Sequence, residues 1–310
     1  MLTTVQDLGR PGHTALGVPA GGAFDAPALR AGNRLVGNDD HAAGLECTLI
    51  GPTLRFEHDA TVALSGAETA TREPMPWTRL TFRAGDKLRI GSIAGGARLY
   101  LCIGGGLRVP LVMGSASTLL SAGFGGHMGR TLKAGDRLAF DPGGLAASAR
   151  PHQRIVADLK RAYADPPAAG VRTLRAVDGP HPHAFNAAVT AAFWTATFRV
   201  GNQSNRTGLR LEGPTFSTLI KGDKVSEGAP VGGIQITTGD GPGSGQPIAL
   251  GVDGPTTGGY PIIATIATVD LHLLGQARPG EKVRFERIAR DEARRALIDR
   301  ACEWEERGVR

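Results

Sequence analysis

The stretch from Ser226 to Asp270 constrains this chain more than any other. It alternates short apolar runs, at 234–236, 248–252 and 262–266, with turns dense in glycine. A run of three to five apolar residues is too short for a core helix but suits a strand. Glycine supplies the positive φ that tight connections between strands need. A segment built this way folds as short strands joined by sharp turns. Glu227, Gln235, Gln246 and Asp253 sit beside its glycines, and Gly258-Gly259-Tyr260-Pro261 separates its last two runs. A strand ending in Asp253-Gly254-Pro255, followed by Thr256-Thr257-Gly258-Gly259, reads either as the rim of a site or as ordinary turns in a β-rich core.

The same grammar governs the whole chain. Among 310 residues there are 45 Gly and 20 Pro, and only 5% are aromatic, a balance that favours many short strands over long helices. The length is enough for two domains. From Glu46 to Phe140, strand patterns recur at 48–56, 60–64, 87–90, 98–103 and 137–140, separated by turn signals, as in a sandwich or barrel. Echoes link the halves. Gly51-Pro52-Thr53-Leu54 is answered by Gly213-Pro214-Thr215-Phe216, and Gly135-Asp136-Arg137-Leu138-Ala139-Phe140 by Gly280-Glu281-Lys282-Val283-Arg284-Phe285. Arg98–Val109 and Pro247–Tyr260 are both apolar strands running into glycine-rich turns. A duplicated β-domain follows, with domains at 1–165 and 171–290 and a linker at 165–170.

Helices are few. Asp25 reads as an N-cap ahead of Pro27, Leu29 and Leu35, with Gly37 as the stop. A short basic helix is expected at 158–163. A further helix is expected to open at His181-Pro182-His183 and run through Phe185, Val189, Phe193 and Trp194. The last, at 291–307, places Ala293, Leu297, Ala301 and Trp304 on one face.

Charge and cysteine content narrow the function. The net charge is +6, but the Lys and Arg residues are scattered with few aromatics among them. That argues against nucleic acid and leaves anionic small molecules as the milder implication. Cys47, Cys102 and Cys302 match no metal or redox spacing, which suits reduced thiols in the cytoplasm. No export signal is read at the start, and no apolar run approaches the ~18 residues of a membrane span.

Several residues carry candidate chemistry. Glu46 lies between Leu45 and Cys47, so it is a surface carboxylate or, facing inward, a site carboxylate. Arg206 and Arg210 stand four apart across Gly208, suited to a carboxylate or phosphate or else to surface ion pairs. Asp253 closes an apolar run, where it could act as a base or cap a turn. Gln235 and Gln246 could read an amide from two sides. His181-Pro182-His183 is a weak metal signal lacking a third ligand, and no metal site is expected. Nucleophile elbow, P-loop, HExxH and dinucleotide motifs are all missing, and Gly104-Gly105-Gly106 lacks the strand–turn–helix setting of a phosphate loop.

Taken in order, TTVQDLGRPG (3–12), GVPAGGAFDAPALRAGNRLVGN (17–38), LECTLIGPTLRF (45–56), SNRTGLRLEG (204–213), SEGAPVGGIQ (226–235), GQPIALGVDGPTTGGYP (245–261) and LGQARPGEKVRF (274–285) resemble the biotin-dependent carboxyltransferase-like family. That family includes the C-type component of 5-oxoprolinase, KipA and part of the carboxyltransferase region of urea amidolyase. The resemblance implies a mainly β fold: two cyclophilin-like β-barrel domains with a few short helices and a C-terminal helix. It implies two partner proteins, resembling the B-type and A-type components of 5-oxoprolinase, with ATP used by the assembly to open 5-oxoproline to glutamate. Asp253, Glu227 and Glu46 are then the catalytic candidates, with Arg206, Arg210, Gln235, Gln246, Thr257, Gly258, Gly259 and Tyr260 around the substrate. Two alternatives are a carboxyltransferase acting on a urea-like amide, with biotin on a separate carrier, and a KipA-like regulator that binds a kinase inhibitor. The chain departs from related ones, which read Arg-Gln where it has Gly254-Pro255, Lys where it has Ile262, and commonly an acidic residue at Asn205. The loop at 239–245 is lengthened.

Overall fold

The computed structural model describes residues 2–141, 170–220, 225–237 and 244–306. They fall into two compact units, one of residues 2–10 and 21–141, the other of residues 11–20 and the described residues from 170 to 305. The helix expected at 158–163, the linker at 165–169 and most of the lengthened loop lie outside the described residues. The fold is mainly β, with a few short helices and a C-terminal one, as expected. Among the described residues, no helix is long and apolar enough to cross a membrane.

The first unit is laid on β1 (Leu2–Gln6), β2 (Gly44–Thr48), β3 (Ile50–Arg55), β4 (Ala60–Thr69), β5 (Arg79–Phe82) and β6 (Lys87–Ile103). The sheet order is β1-β2-β6-β4-β5, and β3 pairs with the early part of β6. Gly91 and Gly95 in β6 both have positive φ, which lets a 17-residue strand serve β3 first and then β2 and β4. Alternate side chains of these strands, among them Val5, Leu45, Val62, Leu64, Leu99 and Leu101, meet in one core. The helix α1 (Ala26–Leu35) covers the other face of β4 and β6. Asp25 caps it by accepting from the Ala28 amide at 3.0 Å. Gly32 lets it approach closely: a Cβ there would stand 2.6 Å from Ser65 Oγ and 2.8 Å from Cys102 Sγ. This is why Val62, Ala63, Leu64 and Ser65 are all buried, in place of the alternation of a one-sided strand. A small ribbon, β7 (Leu107–Arg108) with β8 (Ala139–Phe140), completes the unit.

The second unit contains β9 (Val171–Asp178), β10 (Thr197–Val200), β11 (Gly208–Glu212), β12 (Glu227–Gly228), β13 (Gly233–Ile236), β14 (Pro247–Leu250), β15 (Thr257–Gly258), β16 (Ile262–Ile266) and β17 (Lys282–Arg287). Seven of these strands close a barrel in the order β10-β11-β14-β13-β16-β9-β17. Among the described residues of the barrel, the β9–β17 pair is the parallel one. Within it, β10-β11-β14-β13 repeats the antiparallel order of β1-β2-β6-β4, taken in the same chain sequence. Gly51-Pro52-Thr53 lies within β3, whereas Gly213-Pro214-Thr215 directly follows β11.

The helix α2 (Ala187–Thr195) plugs this barrel with Phe193, which stacks on Phe285 at 5.4 Å and also meets Phe198 and Phe216. It begins later than the sequence suggested. Residues 182–184 form one 3₁₀ turn, Phe185 is extended, and Asn186 starts the helix by accepting from the Val189 amide at 2.8 Å. A competent cap so close to the histidines restarts the chain and frees His181 from the helix. The short α3 (Leu271–Gln276) and the C-terminal α4 (Arg290–Glu306) follow. The docked face of α4 differs from the expected one: Ala293, Ala296, Arg300 and Trp304 point inward, while Leu297 is 41% exposed. Arg300 donates to the Val269 carbonyl at 2.6 Å, which fixes the rotation of the helix.

Candidate functional site

Four separate segments of the second unit meet around Glu227. The ribbon β12–β15 pairs Glu227 with Gly258 and Gly228 with Thr257. Gly258 rests on Gln235: a Cβ at 258 would come within 2.7 Å of Gln235 Nε2, so only glycine leaves that amide in place. Gln235 is 5% exposed and lies in β13, next to an irregularity in its pairing with β16. Such irregularities re-aim side chains in a sheet. His181 supplies the fourth segment. Its Nδ1 accepts from the Ile262 amide at 2.9 Å, and its Nε2 lies 2.8 Å from Glu227 Oε2. Because an amide N–H can only donate, Nδ1 carries no proton, and the neutral ring donates its Nε2–H to the carboxylate. His181 is buried, while the Glu227 side chain is 53% exposed. Thr257 and Tyr260 are exposed, and Gly259 is half-buried, so these three form an accessible rim.

Arg206 and Asp253 also meet, in a forked ion pair with Nε–Oδ2 at 2.7 Å and a terminal nitrogen to Oδ1 at 2.9 Å. Both are buried. The Asp253 amide donates to the Arg206 carbonyl, and the Gly251 amide to the Thr207 carbonyl, so the pair ties the β10–β11 loop to the turn after β14. Gly254 packs there without room for a side chain: a Cβ would stand 2.9 Å from the Gly251 oxygen and 3.1 Å from the Thr207 oxygen. Arg210, four residues on, is exposed on β11, and Gln246 is exposed immediately before β14. Both are held through their backbone amides, Arg210 by Ser204 Oγ and Gln246 by Thr237 Oγ1.

Glu46 belongs to the first unit. It is 1% exposed and accepts from Tyr100 Oη at 2.7 Å, the Phe24 amide at 2.9 Å and Arg98 Nε at 3.4 Å. Arg98 in turn lies over the Phe24 ring at 4.4 Å. Burial first, and then the Glu46 charge, push the Tyr100 phenol well up, which keeps it a donor to the carboxylate. Two features of this unit escaped the sequence reading. Asp7 accepts from Ser115 Oγ at 2.6 Å, from Ser117 Oγ, and from the amides of Gly9 and Ala116, beside the fully buried Arg10. A concavity of about 990 Å³ is lined by apolar residues such as Leu54, Phe56 and Leu101, together with Arg55, Lys133 and Arg137. None of the expected site residues lines it. His181 was legible only as half of a weak metal pattern, and its partner stands 46 positions away. Among the described residues, no group of three or more His, Cys, Asp or Glu is placed to hold a metal ion.

A repeated strand order, a closed seven-stranded barrel and a glycine-lined rim around a carboxylate and an amide define a barrel-based β protein with a polar rim. Residues 16–287 match the family model described as carboxyltransferase domain, subdomain A and B, and the chain belongs to that family. It is 39% identical to the C subunit of 5-oxoprolinase from Escherichia coli (strain K12), over 99% of this chain and 94% of that protein. It is 34% identical to the corresponding C subunit of 5-oxoprolinase from Haemophilus influenzae, over 94% and 89% of the two chains. Urea amidolyase of Lachancea kluyveri is also 34% identical, but the chain covers only 17% of it. Among solved structures, Kluyveromyces lactis urea carboxylase superposes with a TM-score of 0.83 at 29% identity, over 94% of this chain and 27% of that one.

Proposed function

We propose that this chain is the C-type subunit of an ATP-dependent 5-oxoprolinase, hydrolysing 5-oxo-L-proline to L-glutamate together with B-like and A-like subunits in the cytoplasm. The observation that carries this reading is the extent of the match. The likeness to the C subunit of the Escherichia coli 5-oxoprolinase runs over 99% of this chain and 94% of the relative, whereas a urea amidolyase is met over 17% of its length. Three unpaired cysteines agree with a reducing compartment.

The chemistry asked of the site is the opening of a resonance-stabilised amide. Water adds to the lactam carbonyl carbon, the C–N bond breaks, and the departing nitrogen takes up a proton. ATP supplies activation of the carbonyl oxygen when it is bound by the assembly. Gly104–Gly106 leads from β6 into the two-residue β7 with no helix behind it, so it does not fit a phosphate loop, and no step is assigned to ATP on this chain. Glu227, half open to solvent, takes the proton of the attacking water. Gln235 faces the amide of the substrate, and the Thr257–Tyr260 rim closes around the ring. Arg206 and Asp253 neutralise one another, so they hold the turn that carries the rim and leave substrate charge to a partner protein.

The test is 5-oxoproline-dependent ATP turnover and glutamate release, measured on this chain alone and then mixed with the B-like and A-like subunits. Activity is expected only in the mixture. A stable three-component complex that hydrolyses no lactam would sink the reading. A second reading draws on the superposition with urea carboxylase: carboxylation of a urea-like amide by biotin on a separate carrier. Avidin-sensitive fixation of bicarbonate would favour it. An inert complex with a kinase inhibitor would favour the KipA-like role.

A further inference from the structure

We propose that His181 is the positioning residue of the Glu227 carboxylate, so that the working unit of this rim is a histidine–glutamate dyad in which the glutamate meets the substrate. The inference rests on the functional reading above and deepens it. Three observations carry it. First, both ring nitrogens of His181 are engaged, Nδ1 by the Ile262 amide at 2.9 Å and Nε2 by Glu227 Oε2 at 2.8 Å. No ring lone pair remains for a substrate, which rules out the triad arrangement in which a carboxylate orients a histidine base. Second, the burial is asymmetric. The His181 side chain is 5% exposed and that of Glu227 is 53% exposed, so the carboxylate is the member a small molecule can reach. Third, the anchor is rigid. Ile262 is a buried strand residue opposite Gln235, the amide that packs against Gly258. The imidazole therefore ties Glu227 to the same register that places Gln235, and the spacing between carboxylate and amide is set by β13 and β16 and not by the two-residue β12.

An exposed glutamate on a two-residue strand would otherwise sample many rotamers, and a general base loses its advantage when it wanders. A buried donor on one oxygen holds one rotamer, and the half-exposed carboxylate takes the proton from water. The step balances within the hydrolysis already described: the proton leaves water for Glu227 and returns to the departing nitrogen.

Two measurements test this. In the isolated chain, nitrogen-15 spectra of the histidine rings should show Nδ1 of His181 unprotonated and Nε2 bearing a proton, with the Nε2–H signal displaced or lost in Glu227→Gln. The opposite tautomer, or a ring signal indifferent to Glu227→Gln, would overturn the dyad. In the complete three-component enzyme, His181→Ala should lower kcat on the order of 10- to 100-fold with little change in KM, while His181→Gln, which keeps a donor, should recover part of the loss. An active His181→Ala assembly with wild-type kcat would also overturn it. If the wild-type assembly leaves the lactam intact, the proposed reaction falls, and the ring spectra alone still decide the dyad.

Discussion

Taking away the Asp253 carboxylate would leave a buried guanidinium without its forked acceptor, and this pair tests how much one contact matters to the fold. Removing one partner of a buried ion pair costs about 3–5 kcal/mol, because the charge that remains has been taken out of water. Asp253→Ala should therefore lower the unfolding free energy by about that much in urea titration. Arg206→Met combined with Asp253→Leu should regain most of it, since two apolar side chains carry no desolvation penalty. Equal losses in the single and double variants would show that the pair serves something other than charge compensation. Asp253 was legible as a carboxylate ending a buried strand, and Arg206 as a guanidinium beside a glycine. Their pairing across 47 positions was not, because it depends on β11 lying next to β14.

The element that reports most on pH is α3 and the turn before it. Asp270 precedes the helix and accepts from Arg175 at three nitrogens, at 2.6, 2.9 and 3.0 Å. Burial works to raise its carboxyl, but the Arg175 hydrogen bonds and charge outweigh it, and the balance lies below 3.8. His272, close behind in the helix, is pushed down from 6.5 to about 3, by burial first and then by the Arg300 charge. The signs agree. An unfolded chain takes up a proton at His272 near pH 6.5 that the folded chain refuses until about pH 3, so stability falls as pH drops through that window. Asp270 adds to the loss only below 3.8. The slope from His272 should approach about 1.4 kcal/mol per pH unit, and His272→Gln should flatten it in urea titrations between pH 6.5 and 4. A variant that keeps the wild-type slope would place the titration elsewhere. Neither group carried a signal in the sequence, where they stand among apolar residues at 267–274. Their environment is made by β9 and α4, which arrive from opposite ends of the second unit.

At the scale of the whole molecule, the three cysteines divide by accessibility. Cys47 and Cys102 are fully buried in the first unit, and burial pushes the Cys47 thiol up from 9.0 to about 12 and raises that of Cys102 further. Cys302 is exposed on α4. A disulfide reagent should meet one fast thiol in the native chain, and the other two only at the rate at which the first unit opens. Three fast thiols would contradict the packing of α1 over β4 and β6.

What the amino-acid sequence determined by itself is whatever depends on period and turn chemistry. Two-residue alternation cut by glycine dictates short strands, the Gly-Pro-Thr echoes announce a repeat, Asp25 caps a helix, and the ordered motifs place the chain in its family. These are local, because backbone conformation follows from neighbours in the chain. Only the tertiary structure decided which side chains meet. The partner of Asp253 is Arg206, the partner of Glu227 is His181, Gly258 seats the Gln235 amide, and Glu46 is bound to Tyr100 in a separate unit. The physical reason is register. A shift of one residue in any strand turns every side chain to the opposite face, so contacts across a barrel exist only once all seven strands have closed.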